Sequence, residues 1–166
     1  TFRFIPNETL DLARLTVMDP YASGWLSVDS SDWDVVFNQV DDGPVLIWVA
    51  LAGGRPPPGT YCVGFDIATG TGGAMSSNSA FVVFDRRTGE QVAEYADKDI
   101  DPSDFAELGV GVCKWFYDAK MIPEINGVGQ QFMKRVLSLG YRNIYHRKDK
   151  ELSYRRPKEK IGYANQ

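Results

Sequence analysis

Cysteine is scarce in this 166-residue chain: only Cys62 and Cys113 occur. They lack the close C-x-x-C spacing of a zinc site, and two cysteines do not make a disulfide framework. Cys62 falls in a predicted strand and Cys113 in a predicted helix. Both read as small buried hydrophobes in a reducing, cytosolic setting. No run of 18 or more apolar residues exists, so no membrane-spanning helix is expected. The opening Thr1-Phe-Arg-Phe-Ile-Pro lacks a basic segment followed by an apolar one, so it is not a signal peptide. It also lacks an initiator methionine, which is read as the mark of an excised fragment. No internal repeat is found.

What is present fits one soluble globular domain. Apolar residues make up 43% and aromatics 13%, and this length allows a real core. The net charge of −4 conceals an asymmetry. Residues 1–120 hold 8 Lys/Arg against 18 Asp/Glu, whereas residues 121–166 hold 10 against 4. The basic cluster comprises Arg142, Arg147, Lys148, Lys150, Arg155, Arg156, Lys158 and Lys160, with the one histidine, His146, among them. It reads either as a polyanion footprint or as a solvated tail. Interleaved Tyr145, Tyr154 and Tyr163 favour a nucleic-acid surface.

Turn signals divide the chain. Residues 8–15 form a candidate helical turn, and 25–29 and 35–37 are short strand candidates. Asp41-Asp-Gly43 leads into the apolar run 44–51, a strong strand candidate. Gly53-Gly-Arg-Pro-Pro-Pro-Gly59 then breaks regular structure, so residues 1–52 form a β-rich extension. The core, residues 60–148, reads β-β-β-α-β-α-β. Its strands are 61–66, 80–85, 91–95, 120–124 and 143–146, with a hairpin turn at Arg87-Thr-Gly-Glu90. Asp101 is the expected cap of the first core helix and Pro102 its first residue. Gly109 and Gly111 weaken that helix by about 1 kcal/mol each against alanine. A second helix carries Val128, Phe132, Val136 and Leu139 and stops at Gly140. Residues 149–166 form a basic C-terminal segment. The four tryptophans, Trp25, Trp33, Trp48 and Trp115, are expected in the core.

The chemistry gathers at strand ends. Asp66 ends one apolar strand and Glu124 another, and a helical connection sets those two strands parallel. Neighbouring strands lie about 4.8 Å apart, so both carboxylates can reach one point. Hard oxygen donors select Mg²⁺ or Mn²⁺ over zinc. Two such ions, roughly 3.5–4 Å apart, can clamp the attacking and leaving oxygens of a phosphodiester. An aspartate after an apolar run is more often a turn residue; the pair is the stronger signal. Asp85, Asp97, Asp99 and Asp104 are possible further ligands, with Asp85 read chiefly as a turn residue. The turn Thr69-Gly-Thr-Gly-Gly73 reads either as a phosphate cradle or as a connector. Asn126 is read as a helix cap or as a partner that orients Glu124.

These motifs, in this order, resemble the nuclease domain of phage large terminase subunits. The elements are Tyr61-Cys-Val-Gly-Phe-Asp66-Ile-Ala-Thr-Gly70; Ser79-Ala-Phe-Val-Val-Phe-Asp85-Arg-Arg-Thr-Gly-Glu90; Pro123-Glu-Ile-Asn126-Gly-Val-Gly129-Gln; and Gly140-Tyr-Arg-Asn143-Ile-Tyr145-His-Arg-Lys148. The resemblance spans roughly residues 44–166. It implies an RNase H-like α/β fold, a mixed five-stranded sheet with flanking helices, behind the β-rich extension. It implies a metal-dependent endonuclease that cuts concatemeric double-stranded viral DNA, using two Mg²⁺ or Mn²⁺ ions. Asp66 and Glu124 match the family's first and second acidic ligands, and its third has no match. DNA-binding candidates are Arg142, His146, Arg147, Lys148, Lys150, Arg155 and Arg156. The implied setting is the host-cell cytoplasm, with an N-terminal ATPase domain, a portal and a small terminase subunit as partners and no membrane. No Walker A pattern occurs in these residues.

Two other readings stand beside it. Asp66 with its glycine-rich turn also looks like the first phosphate loop of the sugar-kinase, actin and Hsp70 superfamily. Alternatively, the chain is a non-catalytic module that docks DNA or the portal.

Overall fold

The computed structural model describes residues 7–70, 77–125, 127–148 and 159–162. After helix α1 (Asn7–Arg14), strands β1 (Ala22–Asp29), β2 (Asp34–Gln39) and β3 (Val45–Ile47) precede the core. The core runs β4 (Tyr61–Asp66), β5 (Ser79–Asp85), β6 (Gln91–Asp97), α2 (Pro102–Trp115), β7 (Lys120–Pro123) and α3 (Gly129–Ser138). Strands β8 (His146–Lys148) and β9 (Glu159–Ile161) close it. Among the described residues, no helix is long and apolar enough to cross a membrane.

Seven strands form one mixed sheet in the order β2-β1-β3-β6-β5-β4-β7. Four of the five expected core strands form, with β4 and β7 parallel and the remaining neighbours antiparallel. The N-terminal strands are continuous with this sheet through the pairing of β3 with β6. The turn at residues 41–43 does not make a hairpin: β1 lies between β2 and β3. The chain instead crosses β1 where two glycines meet. A Cβ on Gly43 would sit 2.4 Å from the Gly24 Cα, which only a side chain of hydrogen permits.

Two predicted strands are shorter than their apolar runs. The run 44–51 is a strand only over Val45–Ile47, with one further bond to β6 from Trp48 N to Val92 O at 2.9 Å, and the glycine–proline loop after it is drawn onto the end of α2. There Trp115 Nε1 donates to Gly54 O at 3.1 Å and the Tyr117 hydroxyl to Pro56 O at 3.0 Å. The expected strand at 143–146 contracts to one parallel bridge between Ile144 and Met121. Just beyond it the chain leaves to form a separate ribbon, β8 with β9.

Helices α2 and α3 cover one face of the sheet. Asp101 caps α2 by accepting from Ser103 N at 2.7 Å, with Pro102 as the first helical residue. Beneath them lies a run of rings. Phe81 stacks on Tyr95 at 5.2 Å, and Phe65, Phe105 and Phe132 meet at 5.4–5.7 Å. Trp115 is buried as expected, but Trp25 is 52% exposed because it lies on the sheet face away from the helices. Cys113 is buried, whereas Cys62 is only half-buried on that same open face.

Candidate metal-binding site

The ladder of β4 with β7 decides where the two carboxylates stand. Its last paired residues are Phe65 and Pro123. One step further, Glu124 N donates to Phe65 O at 2.9 Å, so Asp66 and Glu124 leave their strands abreast. Phe65 packs against Phe105 and Phe132 on the helix side. Strand alternation therefore sends Asp66 to the opposite, open face. Asp66 is exposed and Glu124 half-buried. The open face beside Asp66 is low: its cross-strand partner is Ala80, whose own partner is Ala96. Two residues back along β4, a Cβ on Gly64 would meet nothing within 4 Å.

The supports around this point are firm. Buried Ser79 accepts from Ala68 N at 3.0 Å and fixes the chain just past Asp66. Gly70 (φ +67°) presses on the Ile100 carbonyl, where an added Cβ would lie 2.3 Å from the oxygen. This part of the glycine-rich turn is a packed connector; residues 71–76 lie outside the described residues. The first residue of α3, Gly129, lies against the Glu124 carbonyl, 2.4 Å from where its Cβ would be. The cap of α3 is Val128. Asn126 lies outside the described residues.

The other acids are not at this point. Asp85 pairs with Tyr61 at the far end of β4. Five residues at about 3.3 Å each set it roughly 17 Å from Asp66. It is a turn residue, accepting from Arg87 N at 2.8 Å. Asp97 is at the same end of the sheet as Asp66 but on the helix side, where it accepts from the Tyr95 hydroxyl at 3.2 Å. Asp99 and Asp104 line the same helix-side cleft as Asp97. Among the described residues, no group of three or more acid, cysteine or histidine side chains is placed to hold a metal ion. The donor set at the strand ends is thus two hard carboxylates, the right chemistry for a divalent cation but few for tight binding.

The basic residues divide by position. Arg142 Nη1 donates to Leu137 O at 3.1 Å and Tyr141 O at 3.2 Å, closing the end of α3. His146 is exposed and opens β8, and the backbones of Arg147 and Lys148 continue it. Lys150, Arg155 and Arg156 lie outside the described residues. The root of this ribbon reaches the acidic point. Gly162 N donates to Tyr145 O at 2.8 Å. Gly162 (φ +77°) also abuts Pro123 and Ile125: its Cβ would be 2.6 Å from Pro123 O and 2.4 Å from Ile125 Cδ1. The sequence pattern carried no sign of this junction, because β9 is three residues long and predominantly charged. Burial raises the Cys113 thiol, and burial raises that of Cys62 against a lowering by Arg86. Neither is poised as a nucleophile.

No protein-family model and no curated protein matches the sequence. Solved structures do match the fold. The large terminase nuclease from thermophilic phage G20c with bound zinc aligns with a TM-score of 0.50 and 18% identity, covering 68% of this chain and 60% of that one. The same nuclease with bound cobalt gives 0.50 and 18%, covering 73% and 57%. The chain has the RNase H-like fold of a large-terminase nuclease. It spans about 60% of the length of the nuclease it matches. The sheet order β6-β5-β4-β7 and the two helices on one face form the part described above as the core.

Proposed function

We propose that the chain is a metal-dependent endonuclease domain acting on double-stranded DNA, with Asp66 and Glu124 holding Mg²⁺ or Mn²⁺. The observation that supports this reading is the β4–β7 register, from which Asp66 and Glu124 leave neighbouring strands abreast, Asp66 on the open, low face. The terminase-like fold supports it, and the nuclease of that fold is described with zinc and with cobalt bound. A divalent cation held there supplies Lewis acidity toward a phosphodiester and makes a bound water easier to deprotonate. Asp66 and Glu124 orient the cation; Ala80, Ala96 and Gly64 leave room for the backbone of a nucleic acid. Exposed His146 at the start of β8 is a candidate phosphate contact beside the site, and the basic residues Arg147, Lys148, Lys150, Arg155 and Arg156 are candidates from the sequence. Such contacts carry little sequence preference and are strongly salt-dependent. In a phage DNA-packaging setting, the partners would be an ATPase domain, a portal and a small terminase subunit in the host cytoplasm.

The test is nicking of supercoiled plasmid by the 166-residue chain in Mn²⁺ against EDTA. Asp66→Ala and Glu124→Ala are each expected to lower the rate at least about a hundredfold while remaining folded, with a cooperative melting transition. A folded wild type that cuts under no divalent metal sinks the reading for this chain.

The two-carboxylate donor set favours one second reading, a DNA-docking module without catalysis of its own. Metal-independent DNA binding, unchanged by Asp66→Asn and accompanied by no cleavage, selects it.

A further inference from the structure

We infer that the cleft between β1, β6 and the first half of α2 receives a basic polypeptide segment of a partner protein, one that sets an apolar side chain among Lys or Arg residues. The cleft measures about 440 Å³. Its floor includes Leu26 and Val28 from β1 and Leu108 from α2, while Asp97, Asp99 and Asp104 also line it. Among the described residues, none of these three carboxylates has an ion-pair partner. Glu107, the fourth acid of the lining, is paired with Arg135. Asp97 is fixed rather than free to turn away: it accepts from the Tyr95 hydroxyl at 3.2 Å and from Asp99 N at 2.7 Å.

Charge and polarity together select the occupant. Three uncompensated carboxylates repel phosphate, so nucleic acid does not enter. An isolated divalent cation needs several converging oxygens and gains nothing from an apolar floor. A segment with cationic heads and an apolar body satisfies both parts, its long basic stems lying along the floor while the charges meet the carboxylates. The cleft is on the helix side of the sheet, and Asp66 is on the other. A segment seated there leaves the two strand-end carboxylates clear, and the inference stands whether or not the chain cuts DNA.

The experiment is fluorescence anisotropy with a labelled, end-capped hexapeptide of alternating arginine and leucine, titrated with the full chain in EDTA. Saturable binding is expected. The triple variant Asp97→Asn, Asp99→Asn, Asp104→Asn should weaken it about tenfold or more, as should Leu108→Lys, which puts a cation into the floor. Asparagine keeps the accepting oxygen of Asp97, and Leu108→Lys stands as the independent variant should the triple one fold poorly. Removing three carboxylates at the far end of the sheet, by Asp85→Asn, Glu90→Gln and Asp118→Asn, should leave the affinity unchanged. Four outcomes overturn the inference: no saturable binding; equal loss in both triple variants; equal affinity for hexalysine, which means that net charge alone acts; or displacement of the peptide by Mg²⁺ beyond the effect of matched NaCl, which means that the carboxylates form a cation site.

Discussion

Asp66 and Glu124 emerge side by side from neighbouring parallel strands, and like charges so placed destabilise a sheet. Asp66 is exposed, so water screens much of the repulsion. Removing the Asp66 charge therefore has a small effect with a measurable sign. In EDTA, Asp66→Asn should raise the unfolding free energy by a few tenths of a kcal/mol, and by no more than about 1 kcal/mol. Mn²⁺ should reverse the order, because an ion that binds only the folded chain stabilises it by mass action and the variant has lost a donor. Urea unfolding of both proteins, with and without the metal, reads both effects. A variant less stable than wild type in EDTA would show instead that Asp66 serves the fold.

Helix α2 carries Gly109 and Gly111 where propensity alone asks for alanine, and the packing explains both. A Cβ on Gly111 would lie 2.5 Å from Val28 Cγ2, and one on Gly109 2.9 Å from Phe65 Cε1. These glycines let α2 approach the sheet closely enough to bury Phe105, Val112 and Trp115. Gly111→Ala should therefore destabilise by about 1–3 kcal/mol despite its gain in helix propensity. Gly64→Ala, on the open face with nothing within 4 Å, should be neutral or slightly stabilising in the same urea titrations. Equal effects at the two positions would contradict the packing account. The elements themselves were largely legible where the signal is local. Asp101 and Pro102 announced the start of α2, and Arg87-Thr-Gly-Glu90 announced its hairpin. What failed depends on distant partners. The apolar run at 44–51 had the composition of a long strand, but it is a strand only over Val45–Ile47, and Trp115 and Tyr117 hold the loop after it. The predicted strand at 143–146 lost its length to β9, whose charged residues carry no strand pattern.

At the scale of the whole molecule, the strand-end carboxylates were legible because each follows an apolar run directly, so chain order fixed which end of the sheet they share. The faces of the sheet were not legible. Asp97 ends β6 at the same end of the sheet as Asp66, and the stacking of Tyr95 against Phe105 shows that it faces the helices, with Asp99 and Asp104 lining the cleft on that side. The same helix-side core imposes a pH dependence on the chain. Burial pushes up the Cys113 thiol and the hydroxyls of Tyr61, Tyr95 and Tyr141, with nearby Asp85, Asp97 and Cys113 adding to the three hydroxyls in that order. All four groups hold their protons in the folded chain after the unfolded chain has released them. Their ordinary values are about 8.5 for a thiol and 10 for a phenol. Their contribution is thus fully present below about pH 8.5 and declines above it, because the unfolded state then binds fewer protons than the folded one. Stability in urea should fall between pH 9 and 11, at up to about 1.4 kcal/mol per pH unit for each group past its unfolded value. Tyr141 donates to the buried Ala119 carbonyl, so Tyr141→Phe should cost about 1 kcal/mol at pH 7. The variant should then lose less than wild type over the alkaline range, having one fewer proton to hold, and the two stability curves should converge as pH rises. Parallel curves would mean that the Tyr141 hydroxyl ionises as readily in the folded chain as in the unfolded one.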